Sequence, residues 1–146
     1  MKMPHNSVVL VADGRKMLFL RNEGDVANPN LVVERAVEQE DTANRDALTA
    51  PAGRKSASQT GAGSAMGDTD FHQIEEDRFA ADATDLLKRR ALAHEFESLI
   101  VVAPPRTLGE MRKHYHKEVS DRLAGELAKD LTNHPIAEIE KALLEA

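Results

Sequence analysis

The chain has 146 residues, 41% of them hydrophobic and 30% charged, enough to build one ordinary core, too apolar for disorder throughout and too polar for a bilayer. It has no cysteine, which excludes disulfides, thiolate nucleophiles and sulfur-ligated zinc. A formal charge of −6 and an aromatic content of 3% argue against a general phosphate-backbone binder and against a base-stacking platform.

The first apolar run, Val8 to Ala12, stops at Asp13-Gly14 and is too short for an export signal. No stretch approaches the roughly 18 apolar residues of a membrane span. The expectation is a soluble, cytoplasmic protein. Asp13-Gly14 separates Val8–Ala12 from Met17-Leu18-Phe19-Leu20 and predicts a hairpin with a type I′ turn, in which both central residues take positive φ. After a second punctuation at Asn22–Asp25 and Asn28-Pro29-Asn30, the alternation of Leu31, Val33, Arg35 and Val37 predicts a third strand through about Gln39. The three make an antiparallel meander.

From Asp41 to Thr69, 18 of 29 residues are Ala, Gly, Ser or Thr, and the only large apolar side chains are Leu48 and Met66. Such a segment cannot bury itself and predicts a long flexible loop. Asp70 is the expected N-cap of the following helix, with Gln73 as its capping-box partner. Phe79, Ala83, Leu86, Leu87 and Ala91 form the inward face of that helix, with Arg78/Asp82 and Asp85/Arg89 paired four residues apart. Ser98-Leu99-Ile100-Val101-Val102-Ala103 is a continuous apolar run, expected as the central strand.

Pro104-Pro105 ends that run, and Thr107-Leu108-Gly109-Glu110 is read as a capping box opening a short helix with Leu108, Met111 and Tyr115 inward. Val119 to Leu131 fits either a helix or a strand, and its periodicity slightly favours the helix. A last helix starts near Pro135, suited to a first helical position, with Ile136, Ile139 and Leu143 on its buried face. His114 and His116, two apart, would face different directions on a helix, and no third ligand lies at metal spacing. The turn chemistry of Asp13 accounts for it without a metal. No phosphate loop, nucleophile elbow or dinucleotide fingerprint appears.

Several strings together are specific: Val9-Leu10-Val11-Ala12-Asp13-Gly14, Glu76-Asp77-Arg78-Phe79-Ala80, Leu99 through Gly109 with Ala103-Pro104-Pro105-Arg106-Thr107-Leu108-Gly109, and Lys129-Asp130-Leu131-Thr132-Asn133-His134-Pro135. On these the whole chain resembles the bacterial host-attachment proteins, regarded as distant relatives of the middle domain of archaeal and eukaryotic peptide-chain release factors. The resemblance implies a single α/β domain over residues 1–146. Its mixed five-stranded sheet is an N-terminal meander followed by α-β-α-β-α, with residues 123–129 as a strand and the long loop at 41–69. It also implies the ribosome or tRNA as partner, because the equivalent loop of release factors carries a Gly-Gly-Gln tripeptide into the peptidyl transferase centre. This chain has Gln59-Thr60-Gly61-Ala62-Gly63 there. The departure removes the warrant for hydrolysis, and the expected function is a non-enzymatic binding protein. An intracellular adaptor with protein partners and a peptidyl-tRNA ester hydrolase are the alternatives.

The candidate binding residues are Arg54, Lys55, Gln59, Gly61 and Gly63 on the loop. Arg106, Thr107, Arg112 and Lys113 join them from the locally basic run ending at Lys117. No catalytic residue, metal ligand or cofactor is assigned. The −6 resides in the expected folded body, and residues 41–69 are neutral.

Overall fold

In a computed structural model, residues 1–39 and 64–146 are described, the side chains of 64–70 excepted. The elements in chain order are β1 (Val8–Ala12), β2 (Lys16–Asn22), β3 (Leu31–Glu38), α1 (Ser64–Leu92), β4 (Leu99–Ala103), α2 (Pro105–Arg112), α3 (Lys117–Arg122), β5 (Leu123–Ala128) and α4 (Ile136–Glu145). They build a five-stranded mixed sheet in the order β3-β2-β1-β4-β5. The β1–β2 and β2–β3 pairs are antiparallel, whereas β1–β4 and β4–β5 are parallel. The middle strand is therefore β1, and the expected central strand, β4, is its inner neighbour. Both are buried on both faces, as their unbroken apolar runs require.

Alternation along β1 and β4 feeds two cores. Val8, Leu10, Leu99 and Val101 face α1, α2 and α3, where they meet Phe79, Ala83, Leu87, Leu108, Met111 and Val119. Val9, Val11, Ile100 and Val102 face Ile139 and Leu143 of α4. The small side chains Ala80, Ala83 and Ala91 let α1 lie close to the sheet.

Local rules of the sequence are overruled at several points. The Asp13-Gly14 hairpin forms, but no glycine among the described residues has positive φ, so the turn is not type I′. Asp13 Oδ1 instead accepts from the backbone N–H groups of Arg15 and Lys16, at 2.7 and 2.6 Å, and this side-chain cap closes a three-residue turn. In β3 the register shifts at Phe19/Leu20, leaving Glu34 as an extra residue between Val33 and Arg35. The bulge reverses the face: Leu31 joins the α4-side core, Val37 the opposite one, and Val33 is exposed.

Helix α1 starts at Ser64 rather than after Asp70, so residues 64–69 are helical where a loop was expected, and residues 40–63 lie outside the described residues. Gln73 stands in the interior of α1 and not at its start, and its amide donates to Asp77 Oδ1 one turn on, at 2.7 Å. Asp85–Arg89 pairs as expected, at 2.9 Å, whereas Arg78 reaches back to Glu75 rather than forward to Asp82. At the other end His94 takes φ 58° and donates its N–H to the Ala91 carbonyl, while Glu95 N–H reaches the Arg90 carbonyl. This is a Schellman ending with a histidine where glycine is usual.

Thr107 is not a cap either: α2 starts two residues earlier at Pro105, a residue suited to the first helical position, and its N-cap, Pro104, has no side-chain acceptor. Pro135 stands one place outside α4, as its N-cap. The ambiguous stretch holds both structures, α3 to Arg122 and β5 from Leu123. The strand implied by the resemblance ends at Ala128, one residue short of 129.

Candidate functional site

The parallel strands β1, β4 and β5 end on the same side of the sheet. Beyond β1 the chain turns to β2 on one flank, and beyond β4 it continues to β5 on the other. In open α/β sheets this reversal leaves a crevice at the carboxyl ends of the strands. Here it is a cleft of about 330 Å³. Asp13, Gly14 and Arg15 supply one wall from the β1–β2 turn, and Gln73, Glu76 and Asp77 another from α1. Arg106, Thr107 and Glu110 of α2 and Asp130 after β5 complete it.

The lining carboxylates are mostly engaged. Asp13 caps its own turn and accepts at Oδ2 from the hydroxyl of buried Thr132, at 2.8 Å. Asp130 Oδ1 is 3.2 Å from the same hydroxyl, which ties the segment after β5 to the β1–β2 turn. Glu110 accepts from Lys113 and from the His114 ring, and these two bonds hold its carboxyl below the ordinary value of 4.5. Glu76 lies over Gly14, where a Cβ would stand 2.7 Å from its Cγ. The glycine thus serves close approach rather than a positive φ.

Of the candidate binding residues, Arg106 and Thr107 line the cleft. Arg112 and Lys113 do not, because both are drawn onto carboxylates. The Arg112 guanidinium lies 2.7 Å from Glu126 Oε1, and Lys113 Nζ 3.1 Å from Glu110. Further along the same run, Lys117 pairs with Asp121, so the expected basic patch is largely neutralised where it stands. Arg54, Lys55, Gln59, Gly61 and Gly63 lie outside the described residues. The histidines have local work: His116 Nδ1 accepts from Glu118 N–H and caps α3, and His94 ends α1. Among the described residues no three His, Asp or Glu side chains are grouped to hold a metal ion.

Glu126 also accepts from the Tyr115 hydroxyl at 3.0 Å, and burial together with that carboxylate pushes the phenol's pKa far up. The Tyr115–Glu126–Arg112 cluster fixes β5 against the α2–α3 corner.

Both ends of the 40–63 segment leave from the cleft side. Gln39 N–H donates to the Arg15 carbonyl in the β1–β2 turn. Its side-chain amide lies 3.2 Å from both the carbonyl and the carboxylate of Glu75 on α1. Residues 64–72 of α1 precede its cleft-lining part and, at 1.5 Å per residue, extend it by about 14 Å. Phe71 in that extension and Ile74 just after it are exposed. Residue types at the strand ends announce the cleft in part. The Gln39–Glu75 tie carries no sequence signal, since it joins residues 36 apart.

A five-stranded mixed sheet with helices on both faces and a polar cleft at the carboxyl ends of its parallel strands defines an α/β protein. No helix among the described residues is long and apolar enough to cross a membrane. The chain belongs to the bacterial archaeo-eukaryotic release factor family 12, whose sequence pattern matches residues 6–143. No curated protein matches it in sequence.

Proposed function

We propose that this protein is a non-enzymatic, cytoplasmic binding protein that docks on the ribosome or on tRNA, with the segment between β3 and α1 as its reaching element. The observation that carries this reading is the placement of that segment's two attachments. Gln39 meets Glu75 of α1 at the cleft end of the fold, the end that also carries Arg106 and Thr107, and this supports reading the segment and the cleft as one docking region. Arg54, Lys55, Gln59, Gly61 and Gly63 are the proposed contacts on the segment. Any effect on attachment to host cells then follows indirectly, through what the protein does to translation.

The test is co-sedimentation with ribosomes through sucrose at low salt, comparing the wild type with a variant lacking residues 45–60. The reading expects the wild type in the ribosomal fractions and the variant in the supernatant. A wild type confined to the supernatant refutes docking on the ribosome and leaves tRNA as the partner to be tested by direct binding. The pairing of Arg112, Lys113 and Lys117 with carboxylates favours a second reading, an adaptor with protein partners. Affinity purification that returns one discrete protein and no ribosomal component supports that alternative.

A further inference from the structure

While the cations of α2 and α3 are spent on carboxylates, another set is left at the carboxyl end of the sheet. Arg15 and Lys16 lie at the turn after β1, Arg106 follows β4 and Lys129 follows β5. Among the described residues none of these four side chains makes an ion pair. Arg15, Arg106 and Lys129 are exposed and Lys16 is half-buried. The carboxylates of the same end are of two kinds: Asp130 beside Lys129 and Glu38 opposite Lys16 are exposed, and the others stand deeper. Asp13, Asp77 and Glu110 are half-buried and held by the turn amides and Thr132, by Gln73, and by Lys113 with His114. Glu76 is half-buried against Gly14.

We propose that Arg15, Lys16, Arg106 and Lys129 form a cationic rim that contacts the phosphodiester backbone of RNA, an inference that rests on the ribosome-or-tRNA reading and supplies its contact chemistry. The three strands bearing the rim are neighbours in the sheet, so the backbone positions span on the order of 10 Å, and long side chains widen that reach. A polyanion arriving from solvent meets the rim first, where the four cations outnumber the exposed carboxylates of Asp130 and Glu38. The half-buried carboxylates beneath it repel phosphate from the cleft, so the backbone lies across the opening and does not enter it. With so few contacts and no aromatic side chain in the cleft lining, binding is weak, tolerant of sequence and strongly salt-dependent. The rim adds Arg15, Lys16 and Lys129 to Arg106 and leaves out Arg112 and Lys113.

The experiment measures fluorescence anisotropy of labelled deacylated tRNA with the full chain across a salt series. The rim variant R15Q/K16Q/R106Q/K129Q is compared with K2Q/R35Q/K88Q/K141Q, which removes the same charge from cations that also lack ion pairs among the described residues but lie elsewhere. Circular dichroism checks that both fold. The rim variant is expected to bind at least tenfold more weakly at low salt, with a log–log salt slope smaller by about 3, and the control to bind within threefold of the wild type. Equal losses in the two variants, or none in either, overturn the rim. Ribosome co-sedimentation of the same proteins separates the two claims. A rim variant that sediments like the wild type overturns the rim and leaves the ribosomal reading standing. Rim-dependent tRNA binding by a wild type that stays in the supernatant supports the rim and refutes docking on the ribosome.

Discussion

Gly14→Ala is a substitution whose sign depends on one neighbour. A Cβ at position 14 would stand 2.7, 2.8 and 3.0 Å from Cγ, Cδ and Cβ of Glu76. Two of those atoms are close to the α1 backbone, so rotating the carboxylate away does not relieve the clash. Overpacking of this kind costs about 1–3 kcal/mol. Position 14 has no positive φ, so alanine fits its backbone and lowers the entropy of the unfolded chain, contributing about 0.4–1 kcal/mol in the opposite direction. The net expectation for Gly14→Ala is a loss of about 1–2 kcal/mol, which in a chain of this size lowers Tm by roughly 3–8 °C. In a Glu76→Ala background the two shorter contacts are gone and only the 3.0 Å contact with the residue-76 Cβ is left, so the same substitution should come within about 0.5 kcal/mol of neutral. Urea unfolding of the wild type, the two single variants and the double variant measures the coupling, expected at about 1–2 kcal/mol. If Gly14→Ala destabilises equally in both backgrounds, backbone conformation requires the glycine and close approach to Glu76 does not.

Tyr115→Phe removes a phenol that donates to the half-buried Glu126 carboxylate and should cost about 1–2 kcal/mol, read as a lower urea midpoint; an unchanged midpoint would show that β5 does not depend on the cluster. Arg90 binds Glu34 and Glu95 and lies 5.1 Å over the Phe19 ring. Arg90→Met should therefore lower stability by about 1 kcal/mol, with thermal melts at high salt showing a smaller difference. For Glu34, burial alone would raise the pKa, but the bonds to Arg21 and Arg90 prevail and hold it below 4.5. A depressed carboxylate contributes stability that is fully present above its unfolded value and is lost as pH falls through its folded one. Acid titration of the melting temperature should accordingly decline below about pH 4.5, less steeply in Glu34→Gln, and an identical decline in that variant would remove Glu34 as a cause.

How much of the candidate site was legible in the sequence differs residue by residue. The continuous run Leu99–Ala103 followed by Pro104-Pro105-Arg106 marks a buried strand that ends beside a helix start, and Arg106 and Thr107 do line the cleft. Arg112 and Lys113 read as cationic because their sequence neighbourhood is basic, yet Glu126, 14 residues from Arg112, neutralises one of them across space. Arg15 and Lys129 carry no local signal of a shared role. They come to the same end of the sheet only when β1 and β5 are placed on either side of β4.

The amino-acid pattern by itself determined the element types wherever apolar periodicity was long or unbroken: the meander, the α1 face from Phe79 to Ala91, the buried run of β4 and the closing helix. Those signals are local, since each side chain reports the face it must bury. The strand order, the Glu34 bulge, the switch from α3 to β5 at Leu123 and the crevice at the strand ends were decided by tertiary structure alone. Each depends on contacts between segments far apart in the chain, where the burial of a second element outweighs what any local preference contributes.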